Sequence, residues 1–549
     1  MNASGATRPF GLLHVRTAFA SAGTPWEWAV RMGTVVVLMG SVFTGLGHAA
    51  TAAKPSQAVS HAALPPLVQQ ALAKTKLPAH ALAVAVMPLD AEGTARAQRQ
   101  PGLAPQGWRH GADQPVNPAS VMKLVTTYAA LDLLGPQFVW HTRFWADGVV
   151  QGGLLRGNLH VQGGGDPKFV MERITDALAQ VRASGVTAIH GDLVLDQSLF
   201  QLPRTDPGGF DGERLRPYNA KPEALLVNFK SVILQFEPDV AKGVARVQYE
   251  PPLAGVTVDA TVPMDASPCA DWRSRLAARF DAPDTIRFAG SFPQKCGPQT
   301  WPVAYVEPDA YAARALEGLW RSGGGALTGQ VRLGPVPATA KLLVNAPSLP
   351  LADIVQDVNK FSNNVMAQQV FLTLGLLPPA APASGAATST PMPVTEPTRE
   401  LVGPTNFERA RTRVGQWWQQ RLGAQAPAPV LDNGSGLSRE ERITPDALVA
   451  LLRDAARHSQ AGPVLMQSLP IAGVDGTARR MGERGVLQQA VGQARVKTGS
   501  LRDVASVAGY VQSRSGRQWA VAAIIHHPQA QQSRAVLDAV LEWTASQKD

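Results

Sequence analysis

Three short strings in this 549-residue chain place alcohols and amines where acyl transfer would use them: Ser120-Val121-Met122-Lys123, Ser362-Asn363-Asn364 and Lys497-Thr498-Gly499. A serine hydroxyl is a poor nucleophile until a base removes its proton. An amine is such a base only when neutral, and burial or a second cation nearby lowers its pKa. Lys123 has the spacing for the base, and Lys497 could be the second cation. Ser362 offers a hydroxyl able to pass a proton toward a leaving amine, and Asn364 an amide to orient a peptide. Lys497 and Thr498 could hold a substrate carboxylate. The backbone N–H groups of Ser120 and of Ser500, just past Gly499, could bind an oxyanion. This is acyl-enzyme chemistry without a histidine.

Read singly, each string has a plainer meaning. Ser120 could cap its helix, Lys123 could be a solvated surface lysine, Ser362 and Asn364 polar residues at a helix start, and Lys497 to Gly499 a strand end and turn. Their joint occurrence, in order, favours the chemical reading. No G-x-S-x-G elbow competes with it.

The elements that must position these residues follow from local pattern. Pro118 opens a helical stretch with apolar Val121, Leu124, Val125, Ala129 and Leu133, and Gly135 closes it. Ser120 then sits at a helix amino terminus with Lys123 about a turn on, on the same face. Free N–H groups and the helix dipole favour developing negative charge there. A helix over 348–373 carries Ser362 and Asn364. Near the end, 494–498, 504–512 and 519–526 read as successive antiparallel strands and 533–547 as a closing helix. Further helices are predicted over 64–76, 170–183 and 406–422, and a strand over 80–90. Between 141 and 342 the pattern changes to short, Gly- and Pro-punctuated strands, such as 156–161, 188–196, 245–249 and 256–262.

The bulk properties fit a globular chain of two to four domains, 45% hydrophobic and 17% charged. The net charge of +9 is spread out, with no Lys/Arg run, zinc-finger spacing or aromatic-basic RNA motif, so nucleic acid is a poor partner. Arg31, the apolar run 32–46 and the small residues of Gly47-His48-Ala49-Ala50 read as a secretory signal behind a long leader, residues 1–50. The run is short for a membrane span, and an uncleaved anchor is the alternative. Cys269 and Cys296 are the chain's two cysteines, and in an exported protein they form one disulfide, with a pair of free thiols as the alternative. No metal-ligand spacing appears, so neither metal nor other cofactor is expected. Residues 377–400, rich in Pro, Ala, Ser and Thr, read as a disordered surface loop.

On the three strings the chain resembles the D-alanyl-D-alanine carboxypeptidase/endopeptidases, the class C low-molecular-mass penicillin-binding proteins. Gly164-Gly165-Asp166-Pro167, Gly191 to Asp196, Asp432-Asn433-Gly434-Ser435-Gly436-Leu437-Ser438-Arg439 and Leu469 to Thr477 match as well. The resemblance implies an α+β, β-lactamase/transpeptidase-like catalytic domain (an antiparallel sheet flanked by helices, with a helical subdomain) over 56–142 and 343–549. A large β-rich insertion over 143–342 splits it, with an inner module near 236–300. It implies a periplasmic enzyme acting on peptidoglycan stem peptides and trapped by β-lactam antibiotics. Ser120 is then the acylated serine, Lys123 its base, Ser362 and Asn364 the second motif, and Lys497 the carboxylate-binding lysine of the third, followed by Thr498, Gly499 and Ser500. Glu213, Tyr218 and Arg439 fall where the family recognises the stem's side chain, with Asp211 or Arg214 able to serve instead. The middle residue of the second motif is Asn363 where the family often has aspartate. A β-lactamase-like hydrolase and a non-catalytic wall-binding protein are the competing classes. Peripheral association with membrane or wall, and oligomeric state, stay open.

Overall fold

The computed structural model describes residues 63–89, 107–379 and 401–548. The signal segment and most of the Pro/Ala-rich loop lie outside the described residues. Among the described residues no helix is long and apolar enough to cross a membrane.

An antiparallel five-stranded sheet carries the third motif, in the order Trp108–His110, Leu82–Pro88, Gln518–His526, Val504–Gln512, Ala494–Leu501. Its strands read as near-continuous apolar runs because both faces are covered. Along Gln518–His526, Ala520, Ala522 and Ile524 enter one core, and Trp519, Val521, Ala523 and Ile525 the other. That is the period-2 alternation of a strand. Helices Pro66–Thr75 and Arg534–Ala545 cover the second face. The first face packs against a helical group: Lys123–Leu134, Leu351–Phe361, Asn364–Leu374, Phe407–Leu422, Pro445–Arg457 and Ala461–Ser468. Each fully buried Val, Leu or Ile there contributes about 1.5–3 kcal/mol, which is what holds the three motifs at fixed separations.

Residues between 144 and 346 build a separate apolar core. One five-stranded sheet there runs Val331–Leu333, Leu193–Asp196, Leu159–Gln162, His141–Ala146, Lys341–Pro347, with parallel and antiparallel pairs mixed. Another runs Phe292–Pro293, Thr261–Asp265, Val244–Glu250, Ser231–Asp239, Gln299–Ala304. Cys269 and Cys296 form a disulfide beside the second sheet. This region is tied to the helices Leu351–Phe361 and Asn364–Leu374 by polar contacts. Gln369 donates to the carbonyls of Gly165 (3.2 Å) and Glu223 (3.0 Å), and Lys168 pairs with Asp357 at 2.5 Å.

The expected strands over 156–161, 188–196 and 256–262 are each two shorter ones. At Gly157 and Gly191 the chain passes too close to other backbone for a side chain. A Cβ on Gly191 would stand 2.5 Å from the Gly157 carbonyl oxygen. The expected helix over 348–373 is also two helices, broken at Ser362. That break shapes the site.

Candidate active site

Ser120 lies in a 3-10 turn, Ala119–Met122, that runs into the α-helix Lys123–Leu134. The turn is held from both sides. Ala119, at φ +47°, donates its N–H to Asn117 Oδ1 (2.9 Å), while Ser506 Oγ donates to the Pro118 carbonyl (2.6 Å). Two glycines allow close approach. A Cβ on Gly436, itself at φ +79°, would be 1.9 Å from the Ala119 carbonyl oxygen, and one on Gly499 would be 3.0 Å from Ser120 N. The Asp432-to-Arg439 loop and the third-motif strand therefore press directly on the serine's backbone.

Lys123 has no exposed surface. Its Nζ donates to Ser120 Oγ (3.0 Å), Asn364 Oδ1 (2.7 Å) and the Ser435 carbonyl (2.5 Å). Burial brings its pKa down to about 7, opposed by the charge of Glu441. Lys497 is equally buried, and its Nζ donates to Ser362 Oγ (2.8 Å) and to the Thr498 carbonyl (2.7 Å). Burial, then repulsion from Lys123, holds its pKa well below the usual lysine value. Two amines, two hydroxyls and one amide from three distant segments thus form two bonded groups, Ser120–Lys123–Asn364 and Ser362–Lys497, whose amines repel each other.

Ser362 adopts a left-handed backbone (φ +57°, ψ +35°) between the helices Leu351–Phe361 and Asn364–Leu374. Asn363 caps the second helix, its Oδ1 accepting from Met366 N (3.1 Å). The break turns Ser362 toward Lys497 while Asn364 turns toward Lys123. The neighbouring Lys360 pairs with Asp475 at 2.5 Å, and Thr498 Oγ1 donates to Thr477 Oγ1 (2.8 Å). The Leu469-to-Thr477 match is thus the brace between the second motif and the third.

Ala494–Leu501 is an edge strand. Val496 N–H donates across the free edge to the Pro470 carbonyl (2.8 Å). By the alternation of an antiparallel ladder, the amides of Thr498 and Ser500 face the same way. Ser120 N, beside Gly499, and Ser500 N are the two donors anticipated for an oxyanion.

Of the residues anticipated to recognise the stem's side chain, Tyr218 touches the second motif directly, Arg439 ends the loop that presses on Ser120, and Glu213 bonds to neither. The Tyr218 carbonyl accepts from Asn364 Nδ2 (3.2 Å). Arg439 stacks over Phe210 (4.7 Å to the ring centroid) and pairs with Asp503 at 3.4 Å. Glu213 pairs with Arg216 at 3.3 Å, and Arg214 with Asp206 at 3.2 Å. Asp211 is the hub of the segment, accepting from Tyr218 OH (2.8 Å), Asn219 Nδ2 (2.7 Å) and Glu213 N (3.0 Å).

A family model for D-Ala-D-Ala carboxypeptidase 3 (S13) matches residues 72–390 and 395–547. The chain belongs to the S13 family. It is 28% identical over 416 residues to D-alanyl-D-alanine carboxypeptidase DacB of Haemophilus influenzae, spanning 74% of this chain and 80% of that one. It is 30% identical over 435 residues to the D-alanyl-D-alanine carboxypeptidase of Actinomadura sp. strain R39, spanning 74% and 73%. The crystal structure of penicillin binding protein 4 from H. influenzae shares the fold, with a TM-score of 0.64 at 23% identity over 87% of this chain and 99% of that one. The α+β architecture anticipated from the motifs is the S13 architecture observed.

Sequence reasoning missed the residues that act from outside the three strings. Glu441, fully buried, accepts backbone N–H groups from Asp432 (3.3 Å), Asn433 (3.2 Å), Gly434 (2.7 Å) and Gly436 (2.8 Å). Burial raises its carboxyl to about 7. Its signal was faint: a glutamate shortly after a Gly-Ser-Gly loop. Ser435 takes part through its carbonyl, which no side-chain reading could reveal.

Proposed function

We propose that this S13 peptidase is a serine D-Ala-D-Ala carboxypeptidase, with D-alanyl cross-links of peptidoglycan as further substrates. The observation that carries the reading is the Lys123 amine, buried, its pKa lowered to about 7, and in hydrogen-bond contact with both Ser120 Oγ and Asn364 Oδ1. The names of the relatives and the family match support the same substrate class.

In this reading neutral Lys123 takes the proton of Ser120 Oγ as that oxygen attacks the carbonyl between the two D-alanines. The amides of Ser120 and Ser500 hold the oxyanion. As the tetrahedral centre collapses, Ser362 hands its proton to the departing amine, and the proton that Lys123 took from Ser120 replaces it. Asn364 orients the peptide, and Arg439, Tyr218 and Asp211 or Glu213 meet the stem's side chain. Water then releases the acyl group. The catalytic domain is 56–142 with 343–549, and 143–342 is its insertion.

A β-lactamase needs a carboxylate offered to water. Glu441 has no exposed surface, and both its oxygens are taken by backbone amides, which favours slow deacylation. A periplasmic location is supported by the signal-like segment and by a disulfide, which persists in oxidising compartments.

The test is labelling with a fluorescent penicillin beside Ser120→Ala, followed by intact mass and by D-Ala release from muropeptides. A stoichiometric, slowly lost adduct that the variant lacks, with D-Ala release, is the expected result. Rapid loss would favour the β-lactamase, and silence in both assays a binding protein.

A further inference from the structure

Releasing a C-terminal D-amino acid means recognising a free α-carboxylate. A carboxylate leaving water needs a cation or several N–H and O–H donors. Lys497 is poorly placed to be that cation. Its amine has no exposed surface and is committed to Ser362 Oγ and the Thr498 carbonyl. Burial and Lys123 also hold it toward its neutral form.

A second positive charge reaches the outer part of the same strand from the helix Arg534–Ala545. Arg534 Nη2 lies 2.8 Å from Oγ of Ser500, an exposed residue. The side chains of Thr498 and Ser500 leave the same face of the strand. Gln531 aims the guanidinium: its Oε1 accepts from Arg534, and its amide donates to the Val504 (2.6 Å) and Leu501 carbonyls.

Stability does not explain an arginine here. Arg534 opens a helix whose first turn holds no acid, where the dipole opposes a cation. Asp538, the acid beside it, is taken by Arg484 through two bonds of 2.5 and 2.6 Å. Burial and repulsion from Arg484 together outweigh the attraction of Asp538, so the charge of Arg534 is disfavoured where it sits. A charge kept against its local environment points to a use elsewhere.

We propose that Arg534 recognises the terminal α-carboxylate of the substrate beside the hydroxyls of Thr498 and Ser500, and so selects peptides that end in a free acid. The inference rests on reading the site as a D-Ala-D-Ala carboxypeptidase.

The test compares the wild type, Arg534→Gln and Arg534→Lys on two acyl-D-Ala thioesters. One releases mercaptoacetic acid and the other its uncharged amide. In folded Arg534→Gln, kcat/KM on the acid falls about 10- to 100-fold, as for loss of a charge-assisted hydrogen bond. On the amide it stays near wild type, and Arg534→Lys recovers part of the loss on the acid. Equal falls on both thioesters would make Arg534 a mere prop for the 501–504 turn and overturn the inference, as would an unchanged rate on the acid. A wild type that cleaves neither thioester and takes no penicillin would sink the carboxypeptidase reading, and the inference with it.

Discussion

Glu441 and Lys123 are joined through the backbone of one loop. Glu441 holds the amides of Gly434 and Gly436, and the Ser435 carbonyl between them accepts from Lys123 Nζ. Neither side chain has exposed surface. Burial pushes the carboxyl up to about 7 and the amine down to about 7, while Glu441's charge favours the ammonium.

The first prediction is a pH profile. Lys123 accepts the Ser120 proton only as the free amine, so the penicillin acylation rate rises with pH through about 7 and levels off above it. Glu441→Gln removes the charge that raises the lysine's pKa, so the rising limb moves to lower pH. Rapid-mixing acylation rates measured across neutrality would show the shift. A limb that stays in place would leave Glu441 as a loop support only.

Lys123→Met tests the base itself. Methionine fills similar space and carries no proton acceptor of comparable strength. Acylation is expected to slow by about 10²- to 10⁴-fold, the usual contribution of a positioned base. The rate of penicilloyl adduct formation by mass spectrometry reads this directly, and a near-wild-type rate would remove the lysine from the mechanism.

Much of this arrangement was legible before the fold was known. Val504–Gln512 was expected at the bounds observed, because a strand covered on both faces is a long apolar run closed by turn residues. Ser120 and Lys123 were legible because a spacing of three is a local relation. Long-range relations were not. Ser362 breaks a helix with a left-handed backbone that non-glycine residues rarely adopt, so the sequence around it reads as one continuous helix. Arg534 matters through Ser500, 34 residues away, while Glu441 and Asp211 work through the folding of their own loops, gathering bonds from Gly434 and Gly436 and from Tyr218 and Asn219 at spacings that follow no helix or strand contact pattern.

Gly499 is predicted to admit no side chain. A Cβ there would stand 2.2 Å from Ser506 Oγ, 2.8 Å from the Pro118 carbonyl oxygen and 3.0 Å from Ser120 N. The hydroxyl could swing aside, but the two backbone atoms belong to the turn that presents the nucleophile. Gly499→Ala should therefore force the strand away from Ser120, destabilise the protein by about 1–3 kcal/mol, and lower acylation well beyond what the stability change explains. Thermal unfolding and acylation rates on the same sample separate the two effects. Full activity would mean that the strand has slack absent from this packing.

The disulfide gives the opposite pattern. Cys269 and Cys296 close a loop of sequence separation 27 beside the sheet that contains Ser231–Asp239, and Cys296 packs on the apolar core built between residues 144 and 346, which shares no residue with the core behind the motifs. By loop-closure entropy the link is worth about 3–4 kcal/mol. Replacing both cysteines by serine should lower the unfolding free energy by that amount, with the folded protein's acylation rate unchanged. Urea unfolding followed by intrinsic fluorescence measures the first, and penicillin labelling the second. A folded double variant that labels slowly would mean that the sheet beside the disulfide is coupled to the residues around Ser120.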